Sequence, residues 1–183
     1  MKSIAVYCGA SMGARPLYAD AARQLARALV EHNIALVYGG GKVGLMGVIA
    51  DEVLRLGGEA TGVIPHALLA REVGHEGLTR MFVVKDMHER KAMMSDLSDG
   101  YIAMPGGMGT LEELFEMVTW SQLGIHDKPV GLLNVEGFYD GLVGFVRHQH
   151  DEGFVRPQHL DIIKVESDAG ALVRRLQEAG ATR

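Results

Sequence analysis

Seven short apolar runs alternate with stretches whose apolar residues recur every three or four positions, and this alternation restricts the chain more than any other feature. The runs are Ser3–Cys8, Ala35–Tyr38, Ala60–Ile64, Met81–Val84, Tyr101–Met104, Val130–Leu133 and Ile162–Val165. Between them, Leu17, Ala21, Leu25 and Leu29 repeat at helical spacing, and so do Leu45, Ile49, Val53 and Leu56. Helices are also expected over Met87–Ser98, Leu111–Leu123, Phe138–Asp151 and Ala169–Ala179. Runs that are apolar throughout suit strands covered on both faces. The expected fold class is therefore α/β, a doubly wound parallel sheet with helices on both faces. The segment His66–Leu78 has no clean period and reads as a long loop or a short helical piece. Nothing marks a domain boundary, and 183 residues suit a single domain spanning 1–183.

Charge and cysteine content narrow the function classes. Eighteen Lys and Arg against 23 Asp and Glu give a formal charge of −5. That balance argues against a nucleic-acid partner, which needs a basic face to displace counterions. The single cysteine, Cys8, rules out an internal disulfide and reads as a small buried residue. No apolar run approaches the length of a membrane span, and the N-terminal stretch is a poor signal peptide, so a cytoplasmic protein with no membrane partner is expected.

Glycine carries the functional signal. The chain has 24 glycines, about twice the usual ~7% share, and they cluster. Gly39-Gly40-Gly41-Lys42-Val43-Gly44 follows a strand and precedes a helix. It fails as a dinucleotide fingerprint, because the acid about 20 residues on, Glu59, precedes the next strand. It also fails as a P-loop, because Val43 stands where a Mg²⁺-ligating hydroxyl belongs. Two readings remain: a tight turn, or a loop whose N–H groups receive a phosphate or carboxylate.

The second cluster is Pro105-Gly106-Gly107-Met108-Gly109-Thr110-Leu111-Glu112-Glu113, again before a helix. Thr110 and Glu113 have capping-box spacing, so Glu113 is either a helix cap or a carboxylate beside a ligand loop. In Asp86-Met87-His88-Glu89-Arg90-Lys91, Arg90 falls on the apolar stripe of its helix, either snorkelling or held by an anion. Lys91 lies about 100° further round, on the surface or in the same site. His148-x-His150-Asp151 lacks a third ligand, so no metal is expected, and His75-Glu76 is a weaker signal still.

The segment Pro105–Glu113 matches the P-G-G-x-G-T-x-x-E signature of the LONELY GUY (LOG) family of cytokinin-activating phosphoribohydrolases. Cys8-Gly9-Ala10-Ser11, the Gly39–Gly47 loop, Met87–Lys91, Asp96–Gly100 and Trp120–Asn134 are also similar, so the resemblance runs through nearly the whole chain. It implies a Rossmann-like fold and hydrolysis of the N-glycosidic bond of nucleoside 5′-monophosphates. The substrates implied are AMP and N6-modified relatives such as isopentenyladenosine monophosphate, the products free base and ribose 5-phosphate. Carried over by position, Arg90 and Glu113 resemble the catalytic pair. Glu72, Lys91, Gly107, Met108, Gly109, Thr110, Leu111, Glu112 and Thr119 resemble substrate-binding positions. The resemblance also implies a homodimer with its site near the subunit interface, and no cofactor.

Such a reaction develops positive charge on the sugar, which an ionised Glu113 suits as stabiliser and base. Three rivals are set against this reading. A nucleotide or molybdenum-cofactor carrier has similar glycine loops but needs no carboxylate at the sugar. A pyridoxal-phosphate decarboxylase needs a Schiff-base lysine, and Lys91 is the one lysine near the supposed site. A nicotinamide-dependent dehydrogenase rests on Gly39–Gly44 alone.

Overall fold

Each apolar run forms a strand, and the pattern of apolar spacing between them forms the helices. The computed structural model describes residues 1–69 and 73–181. In chain order these are β1 (Ser3–Tyr7), α1 (Leu17–Glu31), β2 (Ala35–Tyr38), α2 (Gly44–Arg55), β3 (Ala60–Pro65), β4 (Arg80–Val84) and α3 (Met87–Asp96). They are followed by β5 (Tyr101–Ala103), α4 (Met108–Gln122), β6 (Val130–Leu133), α5 (Asp140–Asp151), β7 (Ile163–Glu166) and α6 (Ala169–Ala181). The strands make one sheet in the order β4-β3-β2-β1-β5-β6-β7. Every pairing is parallel, with Ile4 opposite Leu36 and Val6 opposite Ile102 at the centre.

The period of two along each strand divides the core into two layers. Ile4 and Val6 of β1, with Leu36 and Tyr38 of β2, face α1, α2 and α6. Ala5, Tyr7, Val37, Tyr101 and Ala103 face the other way, onto Met94 of α3 and Leu114, Met117 and Val118 of α4. Between α1 and α2 an ion pair network closes the rim. Glu52 accepts from Arg55 at 2.8 Å through both its oxygens, and from Arg27 of α1 at 3.3 Å. The Arg55 fork above all, with Arg27, holds its carboxyl down at about 2.

Between β3 and β4, His66–Leu68 forms a single 3-10 turn, in keeping with the loop or short helical piece expected there. One detail differs from the sequence expectations. At the other end of the sheet, α4 starts at Met108 rather than Leu111, with extended Gly107 as its N-cap and no side-chain cap. Thr110 and Glu113 therefore both lie inside the helix, and the capping box does not form. A glycine N-cap lets the helix begin directly at the end of the loop, one turn earlier.

The Glu52 network makes a pH-dependent prediction. The folded carboxyl sits below its ordinary value of 4.5, so its stabilisation is complete above that value and fades as the pH falls towards about 2. Glu52→Gln should be less stable than wild type at pH 7, and the gap should close between about pH 4.5 and pH 2 in denaturant unfolding series.

Candidate active site

The chain turns one way from β1 to β2 and β3, and the other way from β5 to β6 and β7, so the loops leaving β1 and β5 diverge. In open parallel sheets this divergence is where ligands sit. Here it opens a cavity of about 270 Å³. Cys8 and Ala10 line it from beyond β1, Met46 from α2, Met87 and Arg90 from α3, and Gly107, Gly109, Thr110, Glu112 and Glu113 from the start of α4, with Leu68 at the rim.

The position of α3 follows from its own cap. Asp86 accepts from the N–H groups of His88 and Glu89 at 3.0 Å each, and these bonds hold its carboxyl below its usual range. One turn in, Arg90 points at the sheet and is 5% exposed. Its Nε donates to the Val63 carbonyl at 3.1 Å and its Nη2 to the Gly39 carbonyl at 3.0 Å. The Gly39 carbonyl just past β2 and the Val63 carbonyl within β3 thus fix the guanidinium plane at the cavity wall. Gly39 makes this possible, because a Cβ there would collide with Arg90 Nη2.

The two glycine loops differ. At the first, Gly44 has φ +62°, and its α-carbon packs so closely on the Ala10–Ser11 backbone that no side chain fits. The Leu45 N–H donates to the Gly9 carbonyl at 3.0 Å and the Lys42 N–H to the Val73 carbonyl at 2.9 Å. Those donors are engaged, Lys42 is exposed, and it does not line the cavity. Through these two bonds the loop braces its neighbours. The second loop is open. With no side-chain cap on Gly107, the amides of Met108, Gly109 and Thr110 begin α4 without intrahelical acceptors. That helix start, at the cavity wall, favours a phosphate or carboxylate.

Glu113 lines the same cavity from the second turn of α4. Burial first, and then the charge of Glu113, push the neighbouring Cys8 thiol and Tyr7 hydroxyl well up, so both stay protonated at neutral pH. The remaining sequence candidates are spread more widely. Met108 is 84% exposed at the mouth, and Leu111 packs into the core layer beneath α4. Lys91 is not in the cavity wall: its Nζ lies between Glu112 Oε1 at 2.5 Å and Glu116 Oε1 at 3.2 Å. Thr119 lies further along α4, in a larger groove of about 560 Å³ between α4, α5 and β7. Glu72 lies outside the described residues. Among the described residues, no three His, Cys, Asp or Glu side chains converge as a metal site would require.

His75 carries a structural role that its sequence context hid. Its ring is buried, with Nε2 2.9 Å from Asp51 Oδ1 on α2 and Nδ1 accepting from the Gly77 N–H at 3.1 Å. An accepting Nδ1 makes Nε2 the protonated nitrogen. Its backbone N–H donates to the Gly40 carbonyl at 3.0 Å, and Gly74 bridges Gly41, so residues 73–77 pin the first glycine loop to α2. No periodicity marks such a contact, since it starts from a loop that has no period of its own.

A family model described as "Possible lysine decarboxylase" matches residues 46–176. The chain is 51% identical to the cytokinin riboside 5′-monophosphate phosphoribohydrolase LOG7 of Arabidopsis thaliana, over 97% of this chain and 82% of that one. It is 49% identical to the probable cytokinin riboside 5′-monophosphate phosphoribohydrolase LOGL2 of Oryza sativa subsp. japonica, over 97% of this chain and 72% of that one. Among solved structures, a molybdenum cofactor carrier protein from Chlamydomonas reinhardtii superposes with a TM-score of 0.72 at 20% identity, covering 98% of each chain. A molybdenum cofactor binding protein from Rippkaea orientalis superposes with a TM-score of 0.71, also at 20% identity, covering 96% of this chain and 95% of that one. At that identity the likeness is one of fold.

The close approach at Gly39 gives a direct test. Gly39→Ala should force the guanidinium from its two carbonyls and cost about 1–3 kcal/mol of stability, the usual range for overpacking, in denaturant unfolding. The Arg90 Nε–H resonance should shift in the same variant.

Proposed function

The chain belongs to the cytokinin riboside 5′-monophosphate phosphoribohydrolase family, and on that premise we propose that it hydrolyses the N-glycosidic bond of adenosine 5′-monophosphates. The substrates are AMP and its N6-prenylated relatives, and the products are the free base and ribose 5-phosphate. The observation that carries this reading is that one cavity holds an uncapped helix start, a fixed guanidinium and a carboxylate.

The 5′-phosphate sits against the amides of Met108, Gly109 and Thr110, remote from the bond that breaks, and supplies binding energy there. Glu113 faces the sugar. As the C1′–N bond lengthens, the ribose takes on positive charge, which the carboxylate stabilises. The same carboxylate takes a proton from the water whose oxygen bonds to C1′; the base departs with the electron pair of the broken C1′–N bond and takes a proton from solvent, to which Glu113 returns the one it accepted. Arg90 completes the catalytic pair as the cation fixed in the wall. Its share in holding substrate or in assisting the leaving base separates as a rise in KM or a fall in kcat.

The working form in this reading is a cytoplasmic homodimer. No residue of α5 is buried, Phe145 is 57% exposed on it, and the groove beside it holds Thr119. A second copy covering this face brings Thr119 into an interface adjoining the α4 helix that also carries Glu113. In sedimentation velocity the wild type should run as a dimer and Phe145→Glu as a monomer.

The reaction is tested by incubating pure protein with AMP and with isopentenyladenosine monophosphate and following free base by chromatography. Wild type should release base, and Glu113→Gln should lose at least about a hundredfold in rate, the usual scale for a general base, while still binding nucleotide. Full turnover by Glu113→Gln would remove the carboxylate from the mechanism. Failure of folded wild type to release base from either nucleotide would favour a carrier.

A further inference from the structure

Three carboxylates crowd one side of α4: Glu112, Glu113 and Glu116. They span about 6 Å of helix axis, and like charges three or four residues apart on a helix repel. The Oε2 of Glu116 is buried with no hydrogen-bond partner in the described structure, which makes its charge costly. Among the described residues, an ammonium from α3 lies against two of these carboxylates. Lys91, 8% exposed, reaches from α3 to Glu112 Oε1 and Glu116 Oε1 and lines no part of the cavity. Burial disfavours its charge, yet the two carboxylates outweigh that and hold its proton more firmly than usual.

We propose that Lys91 is a positioning residue: it neutralises Glu112 and Glu116 so that Glu113, beside them on α4, stays ionised as the proton acceptor, and it does not contact the nucleotide. This rests on the reading of Glu113 given above. The other groups about Glu113 among the described residues include Tyr7 of β1 and Cys8 just beyond it, both kept protonated, and Arg90 of α3. Without Lys91, the charge on α4 becomes more negative while Arg90 stays bound to its carbonyls. Glu113 then holds its proton to higher pH, and activity is lost sooner as the medium is acidified.

The test is kcat/KM for base release from AMP against pH, in wild type, Lys91→Met, Lys91→Arg and Glu116→Gln. Titration of the AMP phosphate is common to all four and cancels on comparison. Lys91→Met should move the acid limb upward by about one pH unit, with KM on the alkaline plateau within about twofold of wild type. Lys91→Arg, which keeps the charge, should largely restore the limb, and Glu116→Gln should move it downward. An unmoved limb with a tenfold higher KM in Lys91→Met would overturn the proposal, because Lys91 would then be a substrate contact. If Lys91→Met does not fold, Glu116→Gln decides alone: an unmoved limb rejects the idea.

A wild type that releases no base would refute the reading of the reaction rather than this electrostatic role. The role is then read from the carboxyl ¹³C resonance of Glu113, assigned with Glu113→Gln. Its titration midpoint should rise in Lys91→Met, and an unchanged midpoint would reject the proposal.

Discussion

A guanidinium buried at the carboxyl edge of a parallel sheet needs acceptors, and Arg90 finds two in the carbonyls of Gly39 and Val63. Withdrawing a charge from water is costly unless hydrogen bonds replace the lost hydration. Here the replacement comes from the main chain of β3 and of the residue just past β2, which the sheet itself holds still. Much of the surrounding architecture serves this contact. Residue 39 must lack a side chain, α3 must start at Asp86 so that its second turn meets the sheet, and the loop after β2 must keep its course. The His75 strap secures that last condition by tying Gly40 and Gly41 to a segment anchored on α2.

Fold alone leaves the chemistry open. A molybdenum cofactor carrier protein shares the fold at a TM-score of 0.72, and fold by itself does not fix function. Glu113 separates the proposed hydrolase from a carrier, since a carboxylate in the cavity wall would repel a phosphate and suits a site where positive charge develops. The description "Possible lysine decarboxylase" fares worse against the same geometry. A Schiff-base lysine must lose its proton to attack a carbonyl. Lys91 is clamped between two carboxylates that favour the protonated form.

The sheet was legible because its strands are buried on both faces and its helices on one, so burial wrote itself into the sequence as period. Arg90 was legible for the same reason, as a charge standing on an apolar stripe beside Met94. The contacts that escaped run between elements with no shared period. The partners of Lys91 lie on another helix, and His75 grips Asp51 across a loop. The start of α4 was misread because Thr110 and Glu113 fit a local capping rule, and it is the extended backbone of Gly107 that marks the earlier start. Glu72 was visible through resemblance alone, since a loop without period gives a single carboxylate no reason to stand out.

The contrast between the two glycine loops shows why composition does not fix where an anion binds. Both loops leave a strand at the switch-point side of the sheet and both open a helix, so both begin with the same helix dipole. At α2, however, the loop after β1 folds over the helix start, and the Gly9 carbonyl takes the Leu45 N–H. That contact needs the close approach at Gly44, so glycine there serves protein against protein. At α4 nothing in the described chain caps Gly107, which is exposed, and the first amides face the cavity shared with Arg90 and Glu113. The first loop commits the Lys42 and Leu45 donors to the frame, whereas the second begins its helix without a side-chain cap. In the proposed reaction, a phosphate held at the second loop brings the adjoining sugar within reach of Glu113, one turn further along the same helix. Binding and reaction would then be set by a single rigid element, with Lys91 in the proposed role of balancing the charge that element accumulates.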